Sequence, residues 1–247
     1  MSFDTAVLFA GILAECVVLG LLLYRKVWRS LPIFSAYVAW SLATDTANYV
    51  LFTRFKDVYF HIYLPEMIPD AILQFAVLVE LFWSVLKPIR KSLPRSSVFI
   101  LGLIIAFAGL AIWPLAAGAV PATYSPRAQL FVHLQETISI LRVVCFLVIA
   151  CFSQLLSIGL RDRELQVATG LGFYSIISLI ITVLHTHQSL GDSYQLMDRI
   201  GSLSYFGSLA YWVLSFSTKE QERQEFSPQM QQFLLQIGGG GRTGRKR

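Results

Sequence analysis

Charge is scarce in this chain. Asp, Glu, Lys and Arg make up 14% of its 247 residues, against 55% hydrophobic, and the mean hydropathy is +0.60. That balance excludes an ordinary soluble globular domain and points to a multi-pass membrane protein. Cysteine is scarcer still. Cys16, Cys145 and Cys151 all fall inside apolar stretches, where they are expected to pack as small side chains and not to build a disulfide framework. Catalytic signatures are missing too. The chain has no Gly-X-Ser-X-Gly nucleophile motif, no P-loop, no Cys-X-X-Cys pair and no appended kinase, cyclase or phosphodiesterase segment.

What is there is a series of seven apolar runs, at about residues 5–24, 31–53, 59–86, 97–117, 127–158, 165–184 and 194–217. Each is long enough to cross a bilayer. The expected fold class is therefore all-α, a seven-transmembrane-helix bundle over residues 1–217, with no room for a separate soluble domain. The first run lacks a positively charged lead and is followed by Arg25 and Lys26, so it reads as a retained helix and not a cleaved signal peptide. Loops 1–2, 3–4, 5–6 and the tail hold 15 of the 20 Lys and Arg residues, whereas loops 2–3 and 4–5 hold 3. The N-terminus is thus expected outside and the C-terminus in the cytoplasm, with the protein in the cell (inner) membrane.

The net charge of +5 follows from that asymmetry and does not point to nucleic acid. Residues 218–247 are expected to form a cytoplasmic tail. Behind Ser227 and Pro228, the spacing of Met230, Phe233, Leu234 and Ile237 predicts an amphipathic helix over about 227–237, lying on the inner membrane surface. A flexible basic end follows, with Arg242, Arg245, Lys246 and Arg247, attracted to anionic lipid.

Helix 3 organises the bundle. At about 100° per residue, Glu66, Asp70 and Glu80 share one face, bordered by Gln74. A carboxylate facing lipid is unfavourable by a few kcal/mol or more, so this face should meet other helices or water. Pro65 and Pro69 predict a loosened turn beside Glu66. Helix 2 carries a polar stripe of Tyr37, Ser41, Thr44, Asp45 and Asn48. Helix 4 has no charge, and its Gly102, Ala106 and Gly109 form a small-residue stripe suited to packing. On helix 5, Gln129, His133 and Glu136 share one face, while Gln135, Ser139 and Arg142 share an adjacent one.

The expected orientation puts Glu66, Asp70, His133, Glu136, Asp198 and Arg199 in the outer half, with His61, His185 and His187 at the same side. A water-accessible vestibule is predicted there, with Glu66, Asp70, His133, Glu136, Asp45 and Arg142 as ligand-binding residues. Near the midplane, Glu15, Asp45, Glu80 and Arg142 are expected to form an ion-pair network, because intramembrane charges mostly pair with one another. Arg142 has a second reading, as the counter-ion of an anionic ligand or a switchable gate. His133 and Glu136 at i, i+3, facing Glu66 and Asp70 at i, i+4, have the spacing of a divalent-metal site between helices. No established ligand motif accompanies them, so no cofactor is predicted.

Leu31-Pro32-Ile33-Phe34-Ser35-Ala36-Tyr37-Val38 and Val58-Tyr59-Phe60-His61-Ile62-Tyr63 resemble the starts of helices 2 and 3 in a group of uncharacterised bacterial seven-helix integral membrane proteins. That group's patterns read FPxFxxY and YFYxYW; Leu31 and Leu64 stand where they tend to be aromatic. The resemblance implies the seven-helix topology and no activity. Two other seven-helix classes are excluded by residues. A retinal Schiff base needs a lysine in helix 7, and none precedes Lys219. Hydrolases of the alkaline ceramidase and adiponectin-receptor type need histidines on helices 2 and 7, which have none.

The leading expectation is a non-enzymatic sensor or binding protein with an outward-facing polar pocket. Any signal would pass to a separate cytoplasmic partner. The alternatives are an ion or small-solute transporter with a midplane carboxylate and Arg142 relay, weakened by seven spans that do not halve, and a metal-dependent intramembrane enzyme.

Overall fold

The computed structural model describes residues 3–54, 56–86, 96–116, 126–152, 162–187 and 192–218. The proposed tail helix and the loop holding Lys87, Arg90, Lys91 and Arg95 lie outside the described residues. So do the side chains of His61, His185, His187 and Asp198.

Seven helices make up the described chain: α1 (Phe3–Tyr24), α2 (Pro32–Arg54), α3 (Lys56–Val85), α4 (Ser97–Ala116), α5 (Pro126–Phe152), α6 (Arg163–His187) and α7 (Asp192–Ser217), with a 3-10 turn at Val27–Arg29. The protein is all-α. Five helices, all but α2 and α7, are long and apolar enough to cross a membrane, as a multi-pass membrane protein requires. Large apolar side chains cover the outside of the bundle: Leu13, Phe99, Leu115 and Leu214 are 67, 82, 73 and 70% exposed. In water that surface would be untenable; in lipid it is matched.

Neighbours in sequence are neighbours in space, and α1 closes the ring against α7. Helix α3 touches α2, α4, α5 and α6. Its helical conformation runs unbroken through Pro65 and Pro69. Side-chain contacts fix the directions of the helices. Phe9 near the start of α1 packs on Tyr49 near the end of α2. Arg25 after α1 donates to the Ser217 carbonyl at the end of α7, 2.6 Å away. Asn48 late in α2 meets Glu66 early in α3. Odd-numbered helices therefore run one way and even-numbered helices the other.

Two devices set helix ends. Helix α2 begins with Pro32, well suited to a first helical position, but Leu31 before it has no side-chain oxygen to cap the first turn. Glu80 of α3 supplies the cap instead, accepting the N–H groups of Ile33 at 2.8 Å and Phe34 at 2.7 Å. At the same end, Arg163 is buried and donates to the carbonyls of Ser215 at 2.9 Å and Thr218 at 2.8 Å, completing the C-terminus of α7.

The apolar core lies in this half of the bundle. Val18, Leu22, Phe34, Leu78, Leu81, Ile149, Val167, Leu209 and Phe216 are all buried there. The Phe34 ring meets Trp212 edge-on at 5.1 Å and Phe216 at 6.2 Å, tying α2 to α7. Helix α6 enters the core through glycine. A Cβ on Gly172 would lie 2.6 Å from Phe146 Cγ of α5, and one on Gly170 would overlap the Trp212 indole. The small residues of α4 are less constrained: a Cβ on Gly102 or Gly109 would meet side chains only at 4.0 Å. Cys145 packs in the core as expected, whereas Cys16 and Cys151 face outward; all three are free.

Candidate functional site

The other half of the bundle is hollow. A half-enclosed cavity of about 850 Å³ lies among α1, α2, α3, α5, α6 and α7, within the roughly 300–1,000 Å³ common for small-molecule sites. Its walls explain why α2 and α7 are the less apolar helices. Tyr37, Ser41, Thr44, Asp45 and Asn48 of α2 and Arg199, Ser202 and Tyr205 of α7 face this space, where a polar side chain remains solvated.

Four of the sequence-predicted residues come together on the cavity wall: Asp45, Glu66, Asp70 and Arg142. Glu66 accepts the Asn48 amide at 3.0 Å, and Asp70 accepts the Gln74 amide at 2.6 Å. Behind the wall, fully buried Glu15 accepts the hydroxyls of Ser41, at 2.8 Å, and Tyr205. Asp45 lies one turn along α2 from Ser41, on the cavity wall.

His133 and Glu136 point elsewhere. His133 stacks on Trp113 with centroids 3.9 Å apart, and its Nε2 lies 2.6 Å from the Trp113 carbonyl. A carbonyl can only accept, so Nε2 carries the proton there and offers no lone pair to a metal. The contact has a simple cause. Helix α4 ends at Ala116, so Trp113 holds one of its four last carbonyls, which find no partner within the helix. Glu136 turns to α6 and accepts the Thr182 hydroxyl at 2.9 Å. The quartet Glu66, Asp70, His133 and Glu136 is therefore split among three helix contacts. Among the described residues, no group of three or more His, Cys, Asp or Glu side chains is placed to hold a metal ion. The adjacent face of α5 lines the cavity instead, through Gln135, Ile138 and Arg142.

The expected midplane ion-pair network does not form among the described residues. Glu80 is spent on the α2 N-terminus and Glu15 on hydroxyls. Arg142 is 4% exposed and has no carboxylate at ion-pair distance; it donates once, to Ser139 Oγ at 3.0 Å. Its guanidinium lies over the Tyr174 ring, 5.6 Å from the centroid, and its Nε has no partner.

Sequence reasoning passed over two features. Tyr37, Tyr174 and Tyr205 give the cavity an aromatic lining that no sequence motif announces. The run Asp162-Arg163-Glu164, part of a short mixed-charge stretch between helices 5 and 6 in the sequence, is buried at the opposite end of the bundle. There Glu164 accepts the Ser84 hydroxyl at 2.5 Å, joining α6 to α3. Compared with protein-family models, curated proteins and solved structures, the chain matches none.

Proposed function

We propose that the chain is a seven-span inner-membrane protein, N-terminus outside and C-terminus cytoplasmic, that binds a small polar ligand in the α1–α3/α5–α7 cavity. It acts as a non-enzymatic sensor or binding component and hands its output to a separate cytoplasmic partner. The resemblance of helices 2 and 3 to bacterial seven-helix proteins fits the same topology.

The observation that carries this reading is the division of the bundle. Asp45, Glu66, Asp70 and Arg142 line a ligand-sized cavity in one half, and a packed apolar core fills the other. The cavity lies beside the starts of α1, α3, α5 and α7, the half that the lysine and arginine distribution assigns to the outside. A polar pocket above an apolar seal suits capture from one side. The test is thermal unfolding of the purified protein across a library of small polar solutes, beside a Glu66→Ala/Asp70→Ala variant. Stabilisation by one chemical class, lost in the variant, supports the reading; identical responses of the two proteins across the library reject it.

Transport is the second reading, favoured by one observation. Glu15, Ser41 and Tyr205 form a hydrogen-bonded polar cluster from the cavity into the buried wall, with Asp45 one turn along α2 from Ser41. Flux into proteoliposomes that disappears in Asp45→Asn would establish it.

A further inference from the structure

The cavity wall carries both kinds of charge, with Arg142, Asp45, Glu66 and Asp70 at successive depths and Arg199 near the start of α7. Arg142 lies over Tyr174, whose ring packs against Tyr205 at 5.5 Å, and Tyr205 meets Ser41 of α2 at 3.2 Å. Asn48 is seven residues beyond Ser41 on α2, so the Asn48–Glu66 pair is about 10 Å nearer the mouth at 1.5 Å per residue. Asp70, one turn along α3 from Glu66, is about 6 Å deeper than Glu66.

At the deep end Arg142 holds donors that lack acceptors, while Glu15 Oε2 behind the wall lacks a donor. Arg142 is more than nine-tenths buried, lines the cavity, and makes a single hydrogen bond from five N–H donors. The carboxylates are the reverse, Glu66 toward the mouth and Asp70 between it and Arg142. Glu66 and Asp70 each accept one amide, and Asn48 Oδ1 has no donor. An acidic cluster alone suits a cation, and a buried arginine alone suits an anion. Their stacking along one cavity, without pairing to each other, calls for a single solute that neutralises both.

We propose that the ligand is a small zwitterion with an amine and a carboxylate at opposite ends of a short spacer. Its carboxylate reaches the Arg142 guanidinium over Tyr174, and its ammonium lies among Glu66, Asp70 and Asn48. The inference rests on the binding-pocket reading and names the chemical class for that site. Binding is then a bridge between α5 and the α2–α3 pair, two charge-assisted contacts on one spacer.

The test is calorimetric titration of the purified full chain with glycine, γ-aminobutyrate and ε-aminocaproate, beside the half-ligands caproate and hexylamine. The expected result is that one of the longer amino acids binds about tenfold more tightly than either half-ligand. Arg142→Gln should bring it down to the affinity of the amine alone, and Glu66→Gln/Asp70→Asn to that of the acid alone. Arg142→Lys, which keeps the charge, should retain part of the advantage and controls for misfolding. A half-ligand that binds as tightly as the whole, or Arg142→Gln without effect on binding, overturns the proposal. If none of these compounds binds while the wider library still separates wild type from Glu66→Ala/Asp70→Ala, the zwitterion falls and the pocket stands. If the library also fails to separate them, both fall.

Discussion

The Glu80 carboxylate of α3 accepts the backbone N–H of Phe34 at 2.7 Å, in the first turn of α2 and 46 residues away in sequence. With the parallel bond from Ile33, one buried side chain starts a neighbouring helix and fixes its height against α3. Charge-assisted bonds of this kind contribute about 1.5–3 kcal/mol each, so losing both in Glu80→Ala should lower stability by about 3–6 kcal/mol. Glu80→Gln, which keeps one acceptor, should lose about half as much. Thermal melting in detergent checks this, and ligand affinity should be unchanged in both variants because the cavity is at the other end of α3.

Arg142 should behave in the opposite sense. Breaking a buried ion pair leaves an uncompensated charge and typically destabilises by about 3–5 kcal/mol. Arg142 has no such partner among the described residues, so Arg142→Gln should change apo stability by less than about 1 kcal/mol, or raise it. A large loss in melting temperature would reveal an ion pair formed outside this arrangement.

Gly172 tests the packing of α6 on α5. Adding a Cβ there puts it 2.6 Å from Phe146 Cγ, and overpacking of this size destabilises by about 1–3 kcal/mol. Gly172→Ala should therefore lower the melting temperature, and Phe146→Leu in the same chain should recover part of it. The double-mutant cycle measures the coupling; additivity would place Phe146 elsewhere.

Orientation can be read by thiol labelling. In a background without Cys16, Cys145 and Cys151, a cysteine replacing Lys26, beside the C-terminal end of α7, should react with an impermeant maleimide only after permeabilisation. A cysteine replacing Ser202, on the cavity wall and exposed, should react in intact cells. The reverse pattern would invert the proposed topology.

Much of the bundle was legible from residues alone. The predicted starts and ends agree with the described helices within about three residues at most termini, because apolar length and proline positions act locally. The prediction of α5 runs to residue 158, and its last six positions lie outside the described residues. Asp45, Glu66 and Asp70 facing a common space also followed from helical angle, since lipid rejects carboxylates on any other side.

Other assignments failed on geometry that angle alone does not contain. Glu80 shares a face with Glu66, yet 14 residues of helix separate them by about 21 Å, so Glu80 belongs to the far end of the bundle. His133 and Arg142 are nine residues apart, about half a turn around α5, and no single pocket could hold both. That second constraint was present in the spacing. The Asp162-Arg163-Glu164 run was not readable in this way: it is buried because α7 ends beside it and needs donors for its last carbonyls.

The sequence by itself determined an all-helical, lipid-compatible chain with its polar residues gathered on inward faces, since hydropathy and helical period are properties of each segment. Only the tertiary structure decided which polar groups satisfy one another. Glu80 went to the end of a neighbouring helix, His133 to a terminal carbonyl and Glu15 to two hydroxyls, partners brought within reach only once the helices were packed. Arg142 was left facing the cavity, because among the described residues no carboxylate comes within ion-pair distance of it.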